Sequence, residues 1–391
     1  MASKYEEKVR EEWEKFQSTE HFPNIMLLGV SGCGKSSLIN RVFGRDLAKV
    51  NNVSRGTEEF SYYRGKNYGL KVNLIDSKGY EMETEDSVDN FTRYLNEVTK
   101  MIASKKDDVN DQIHMVWFCI SVASNRIQQY DIDMIRELSK DNTGVKGKVA
   151  VVLTKCDEDD ENGSVAKNFK DILHQQIAYD LPVFEVSTDI NLPLEINDLI
   201  GWSVENLDSE DLKNAFVASQ IVDIDQKRKH AAKCIAGYAV GAAAIAASPI
   251  PFSDSAVLVP EQLAMTTHII GIYGMDTLAS ISRSVVSNII ITTIGRSLAG
   301  SLIKIIPVVG TMVGTIVNTT VATTLTAALG FAISEICYNC CKKIIRNESI
   351  DWDNIFNMDD IENLMKEFVR NNKNATSEAD VETAIVGKRE G

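Results

Sequence analysis

The chain has 391 residues, with 41 Lys and Arg against 55 Asp and Glu, a formal charge of −14 and a pI near 5.0. At roughly 150 residues per domain this length predicts two or three domains, and the acidic balance excludes a basic nucleic-acid footprint spread over the whole chain. Apolar residues at 44% and charged residues at 25% exclude global disorder, and only 7 Pro exclude a Pro-rich or collagen-like chain.

In chain order, the first apolar pattern is Tyr5, Val9, Trp13 and Phe16, which step by four, four and three. That spacing predicts an amphipathic helix over residues 1–20, packed on the domain that follows or, in the alternative, offered to a partner. The same stretch is charged from Lys4 onward and lacks the apolar core of a signal peptide. The seven cysteines are odd in number and thinly spread, so a reducing, cytoplasmic setting is expected.

Asn24 to Gly29 is a short apolar run that reads as a buried parallel strand. It runs into Gly29-Val-Ser-Gly-Cys-Gly-Lys-Ser36, the G-x-x-x-x-G-K-[ST] pattern, and a helical face of Leu38, Ile39, Val42 and Phe43 follows. Strand, loop and helix together are the context that gives the pattern its meaning. Gly29, Gly32 and Gly34 let the backbone curl, so that its N–H groups, with those of Ser31, Cys33 and Ser37, converge on one anion at a helix N-terminus. Lys35 supplies a point charge for β- and γ-phosphates, and Ser36 a hydroxyl ligand for Mg²⁺. Cys33 reads as a small filler rather than a nucleophile.

Lys71 to Asp76 is a second strand, followed by Ser77-Lys78-Gly79 to complete D-x-x-G. Asp76 can hold a metal-bound water, and the Gly79 N–H can reach a γ-phosphate. Met115 to Ser121 reads as a central strand, and Gly147 to Leu153 as another, ending in Thr154-Lys155-Cys156-Asp157. A carboxylate there accepts from both the N1–H and the N2–H₂ of guanine, a donor pair that adenine lacks. A helix N-cap is the plainer alternative for Asp157, but its place after a strand and a Lys favours the guanine reading. Phe184 to Thr188 is a later strand, with Ser187 and Thr188 placed to present a backbone N–H to guanine O6.

The order GVSGCGKS, DSKG, TKCD and VST resembles the translation-factor-related small GTPases, and the continuation GKSSLIN resembles their Era-like group. The resemblance covers about residues 22–205. It implies that Thr57, in Ser54-Arg-Gly-Thr57, closes on Mg²⁺ and the γ-phosphate, and that Lys35, Thr57 and Gly79 act in turnover. Thr154 stands where the family carries Asn, which implies weaker guanine binding. Tyr80 stands where Ras-like relatives carry a Gln that orients the attacking water, so slow intrinsic hydrolysis is expected, and a homodimer or an activating protein is expected to supply the missing group.

Between Gln226 and Arg346 the charge changes sign, with ten basic residues against four acidic ones. Cys234 to Ser248 and Ile305 to Ser334 carry no charge, and the second run includes the spacing Gly310-x-x-x-Gly314. Thirty uncharged residues exceed the roughly 20 that span a bilayer, yet their Ala, Gly and Thr suit a soluble bundle equally. Both readings stand, and the second adds a membrane surface as partner. Lys227 to Lys229 and Lys342 to Arg346 flank the apolar part, as headgroup contacts or as solvated helix ends. Cys337, Cys340 and Cys341 cluster without a nearby His, as buried or acylated thiols rather than a zinc site. This tail resembles an Ala/Gly-rich helical domain of unknown function found behind Era-like GTPases.

The expected fold is therefore an α/β P-loop domain with a mostly parallel sheet, followed by an all-α domain. The boundaries are 1–20 for the amphipathic helix, 21–208 for the G domain, 209–346 for the helical domain, and 347–391 for an acidic helix and a frayed tail. The expected ligands are GTP or GDP with Mg²⁺, and no nucleic acid. A scaffold that binds GTP with little hydrolysis is the alternative, and an ATP-binding protein is a third.

Overall fold

A computed structural model describes residues 21–246 (less 45–46, 48–53, 58–59, 69, 80–86, 106–107, 109–110, 141–142, 146, 161, 178–179 and 190), 259–275, and 319–387 (less 347, 352–353, 373–374 and 376). The helix expected over 1–20, Tyr80 and the Gly310/Gly314 pair lie outside the described residues. The chain divides into two compact units, His21–Asp223 and a second that begins at Ile224.

The first unit is built on seven strands: β1 (Asn24–Leu28), β2 (Ser54–Thr57), β3 (Phe60–Tyr63), β4 (Asn73–Ser77), β5 (Met115–Ser121), β6 (Val149–Thr154) and β7 (Val183–Glu185). Their order across the sheet is β2-β3-β4-β1-β5-β6-β7. From β4 to β7 all neighbours are parallel, while β2 and β3 run antiparallel at one edge. The expected strands at β1, β4, β5 and β6 are continuous apolar runs because helices cover both faces, which leaves β1, β5 and β6 buried along their whole length. The last strand is shorter than expected and stops at Glu185, so Ser187 and Thr188 lie beyond its end.

Among the described residues of this unit are the α-helices α1 (Lys35–Phe43), α2 (Ser87–Lys105), α3 (Gln129–Leu138), α4 (Ser164–Gln176), α5 (Ile196–Glu205) and α6 (Glu210–Ser219). The predicted face of α1 is the buried one, comprising Leu38, Ile39, Val42 and Phe43. Phe43 stacks on Trp117 of β5 at 6.0 Å, and Phe216 of α6 meets Phe43 edge-on at 6.0 Å. The Ile221 N–H donates to the Val42 carbonyl at 2.8 Å, and the Lys71 N–H donates to Ser219 Oγ at 2.8 Å. These contacts hold α6 in the first unit, which runs to Asp223.

Among its described residues the second unit contains α7 (Ile224–Ala246), α8 (Val259–Ile272), α9 (Thr319–Ile345), α10 (Met358–Asn371) and α11 (Glu378–Val386). Helix α9 is central and packs on α7, α8 and α10. Small residues permit this: a Cβ on Gly330 would lie 2.6 Å from Ile235 Cγ2 of α7 and 3.1 Å from Met265 Sδ of α8. Phe331 and Phe368, 5.2 Å apart, join α9 to α10. By length and composition α9 is long and apolar enough to cross a membrane, and most of it is buried against its neighbours. Two features differ from expectation. Residues beyond Asn371 form α11, where Val381 and Ile385 are buried, so apolar contact outweighs the polar composition. Lys227 and Arg228 are neither solvated ends nor free for headgroups, being 1% and 6% exposed.

Candidate functional site

The site lies at the carboxyl ends of the parallel strands, where β1 leads to α1 on one face of the sheet and its neighbours β4 and β5 lead to α2 and α3 on the other. Such crevices are where open α/β sheets bind ligands. From Leu28 the chain turns through Gly29 at φ +135° and Gly34 at φ +99° before α1 begins. A Cβ on Gly29 would lie 2.2 Å from the Cys119 carbonyl oxygen of β5, so only glycine fits this turn. Helix α1 starts with no side-chain cap and no acid in its first turn, which leaves its amides open to an anion. Ser31, Gly32, Ser36 and Ser37 are exposed at this mouth, while Cys33 and Lys35 are buried.

Lys35 folds back over the loop, and its Nζ donates to the carbonyls of Gly29 and Val30, each at 3.0 Å. Register brings Asp76 beside β1, opposite Leu27. Ser36 Oγ donates to Asp76 Oδ2 at 3.0 Å, and the buried Asp76 Oδ1 has no partner among the described residues. Burial pushes the Asp76 carboxyl above its ordinary range, against the pull of Lys35 and the Ser36 hydrogen bond. A hydroxyl beside a carboxylate with one orphaned oxygen is a hard, oxygen-only donor set of the kind Mg²⁺ takes. Gly79, at φ +85°, passes so close to the loop that a Cβ on it would lie 2.5 Å from the Ser31 nitrogen.

The base side is assembled at the ends of β6 and β7. Ser121 pairs with Thr154 in register. Thr154 Oγ1 donates to the Cys33 carbonyl and sits 3.4 Å from the Ile120 carbonyl, so it ties this loop to the phosphate loop. Lys155 takes a left-handed φ of +57°. The exposed Asp157 then accepts from Ser187 Oγ at 2.8 Å, and Ser187 Oγ accepts from the Asp189 N–H at 2.9 Å. Asp157 makes no N-cap for α4, whose preceding residue is Gly163. Thr188 is exposed beside this pair.

The expected residues thus gather in two groups. Gly29 to Ser37, Asp76 and Gly79 surround the loop, and Thr154, Lys155, Asp157 and Ser187 form the neighbouring rim. Thr57 ends β2, paired with Phe60, and its side chain lies outside the described residues. Two residues here were not expected from the sequence: Ser121, whose buried Oγ has no partner among the described residues, and Cys119, whose carbonyl faces Gly29. A serine or cysteine inside an apolar strand gives no signal of its own.

A uncapped helix N-terminus, a folded-back lysine and a Ser/Asp pair at the strand ends define a P-loop nucleotide-binding domain. Residues 24–155 match the family described as 50S ribosome-binding GTPase, and residues 212–373 match the domain of unknown function DUF697. The chain thus matches a P-loop GTPase domain fused to a helical domain of unknown function. Among curated proteins it is similar to GTPase Der of Porphyromonas gingivalis, 24% identical over 173 residues, or 43% of this chain and 36% of that one. GTP-binding protein A of Dictyostelium discoideum is 38% identical over 77 residues, 18% of this chain and 17% of its own. Septin-8 of Xenopus tropicalis is 24% identical over 202 residues, 46% of this chain and 44% of its own. The chain covers less than half the length of each of these relatives.

Proposed function

We propose that the first unit binds GTP with Mg²⁺ and hydrolyses it slowly to GDP. The observation that carries this reading is the convergence of Lys35, Ser36 and Asp76 on the phosphate loop, with Ser36 Oγ 3.0 Å from Asp76. The loop amides and the start of α1 bind the polyphosphate, and Lys35 exchanges its loop carbonyls for phosphate oxygens. Ser36 and, through water, Asp76 would hold Mg²⁺, which when bound neutralises charge on the β- and γ-phosphates. Gly79 presents its N–H beside the loop and Thr57 closes from the opposite edge. Asp157, oriented by Ser187, accepts from the guanine edge, and Thr188 lies beside it. Tyr80 follows Gly79 where an amide would orient water, which supports slow turnover.

Hydrolysis would release the loops at Thr57 and Gly79, and the helical unit would receive the change as a surface for a partner or a membrane. The test is calorimetry with GTP, GDP and ATP in Mg²⁺, with phosphate release measured on the same protein. Guanine nucleotides bind and ATP does not, Lys35→Ala loses binding and turnover, and Asp157→Asn narrows the gap between guanine and adenine. A Lys35→Ala protein with unchanged affinity overturns the reading. Binding without measurable phosphate release at any protein concentration assigns the unit to nucleotide-dependent assembly instead.

A further inference from the structure

The stretch from Leu212 to Asp223 lies beyond residues 24–155 of the GTPase match and inside the span matched by the domain of unknown function. It nevertheless folds within the first unit, which ends at Asp223. Its packing there is specific. Phe216 is fully buried and meets Phe43 and Trp117 edge-on, at 6.0 and 6.4 Å. The buried Ser219 uses its hydroxyl twice, donating to the Ala215 carbonyl at 2.9 Å and accepting from the Lys71 N–H at 2.8 Å.

The residues that follow are wound around Gln220, which has no exposed surface. Its Oε1 accepts from the Val222 and Asp223 N–H groups at 2.9 and 2.8 Å, and its Nε2 donates to the Asp223 carbonyl at 2.7 Å. This turn presents the Ile221 N–H to the Val42 carbonyl at 2.8 Å.

Val42 and Lys71, the two residues so gripped, belong to the elements that carry Ser36 and Asp76. Val42 lies in the last turn of α1, whose first turn holds Ser36, and Lys71 leads into β4, which holds Asp76. The helix spans about 9 Å from Ser36 to Val42, and the chain spans at most about 18 Å from Lys71 to Asp76. At the near end Ser36 Oγ donates to Asp76 at 3.0 Å. At the far end Ser219 and Ile221 join the same two elements. Helix, clamp, strand and the Ser36–Asp76 bond form a closed circuit. Its sides are short, stiff elements, so the spacing at one end is tied to the spacing at the other.

We propose that Phe216–Asp223 is a positioning element for the nucleotide site, clamping the far ends of α1 and β4 so that Ser36 and Asp76 stay together for Mg²⁺. This rests on the nucleotide reading above. Ser219 and Gln220 touch no ligand and act through α1 and β4. The leading residues of the second family match thereby gain a task in the first unit. A fastening that served stability alone would weaken the fold, but it would leave the benefit that Mg²⁺ brings to nucleotide binding unchanged.

The experiment titrates the full-length protein with fluorescent GDP in Mg²⁺ and in EDTA, and reads the ratio of the two affinities. Ser219→Ala strips the Lys71 N–H of its acceptor, whereas Ser219→Thr keeps the hydroxyl. The ratio is expected to fall by about three- to tenfold in Ser219→Ala, the range one hydrogen bond carries, and to stay near wild type in Ser219→Thr. An unchanged ratio in Ser219→Ala overturns the proposal. If that variant fails to fold, amide exchange on the wild type decides. Adding Mg²⁺ to the GDP-bound protein slows exchange in peptides covering Lys71 and Ile221, and equal exchange with and without Mg²⁺ overturns the proposal. Wild-type protein that binds no GDP in either buffer refutes the nucleotide reading and takes the proposal with it.

Discussion

His114 stands just before β5 at the base of the sheet, and it is built to be neutral. The Asn24 backbone N–H at the start of β1 donates to His114 Nδ1 at 3.0 Å, and the His114 backbone N–H returns a bond to the Asn24 carbonyl at 2.9 Å. Asn24 Nδ2 donates to the Gln112 carbonyl at 2.8 Å, and Asn73 Nδ2 donates to Asn24 Oδ1 at 2.8 Å. A proton on Nδ1 would set donor against donor. Burial first, and then the nearby Lys148 charge, depress the His114 pKa from 6.5 to about 4, with Asp208 opposing. Between these values the unfolded chain binds a proton that the folded one refuses, so stability rises with pH. The contribution is complete above pH 6.5 and is lost as pH falls to 4. From the two pKa values the loss is about 2 kcal/mol at pH 5 and about 3 kcal/mol at pH 4. The assay is urea unfolding at pH 7, 6 and 5, read by amide exchange in peptides covering β1 and β5. His114→Gln keeps an acceptor for Asn24 without titrating, and contributions from carboxylates cancel in the difference between the two proteins. Parallel profiles for wild type and His114→Gln from pH 7 to 5 would refute the reasoning.

Two further predictions test the joints of the two units. Thr154→Val keeps the shape of the side chain but strips the Cys33 carbonyl of its donor, so GDP binding should weaken by about 1–3 kcal/mol with little change in helical content, as calorimetry and circular dichroism would show. In the second unit Arg228 donates to Glu335 at 2.8 Å, with the two side chains 7% and 8% exposed. Removing only the acid leaves a buried cation, so Glu335→Ala should cost about 3–5 kcal/mol in thermal unfolding. A paired Arg228→Met, Glu335→Leu protein should recover most of that loss.

Much of the candidate site was legible because phosphate chemistry restricts residue type at each position of the loop. Gly29 and Gly34 are needed for positive φ, Lys35 for charge and Ser36 for a hydroxyl, and each follows a strand that reads as a strand. Asp76 and Asp157 were legible for the same reason, since both fall at the end of an apolar run. The β2–β3 hairpin was not. Ser54-Arg-Gly-Thr57 has little strand propensity and pairs through a register shift at the sheet edge, so nothing in its residues marks a strand. The role of Thr154 was half legible. Its place in TKCD was clear, but the bond to the Cys33 carbonyl depends on a contact 121 residues away in sequence.

The helical unit shows why a charge count cannot stand in for a surface. The excess of basic residues between Gln226 and Arg346 invited a headgroup reading worth about 1 kcal/mol per exposed cation. Lys227 is instead buried with its Nζ donating to the Ile272 and Tyr273 carbonyls at the end of α8, at 3.3 and 3.4 Å. A cation there suits the negative end of the helix. Arg228 pairs with Glu335, donates to the Ile385 carbonyl at 3.1 Å, and lies 4.8 Å from the Tyr338 ring centre, with Lys342 4.7 Å from the same centre. Tyr338 OH in turn donates to Asp225 Oδ1 at 2.8 Å. These cations join α7, α8, α9 and α11 to one another. Their charge serves the bundle's own interior, so removing Lys227 or Arg228 would disturb helix packing before it could alter attraction to a lipid surface.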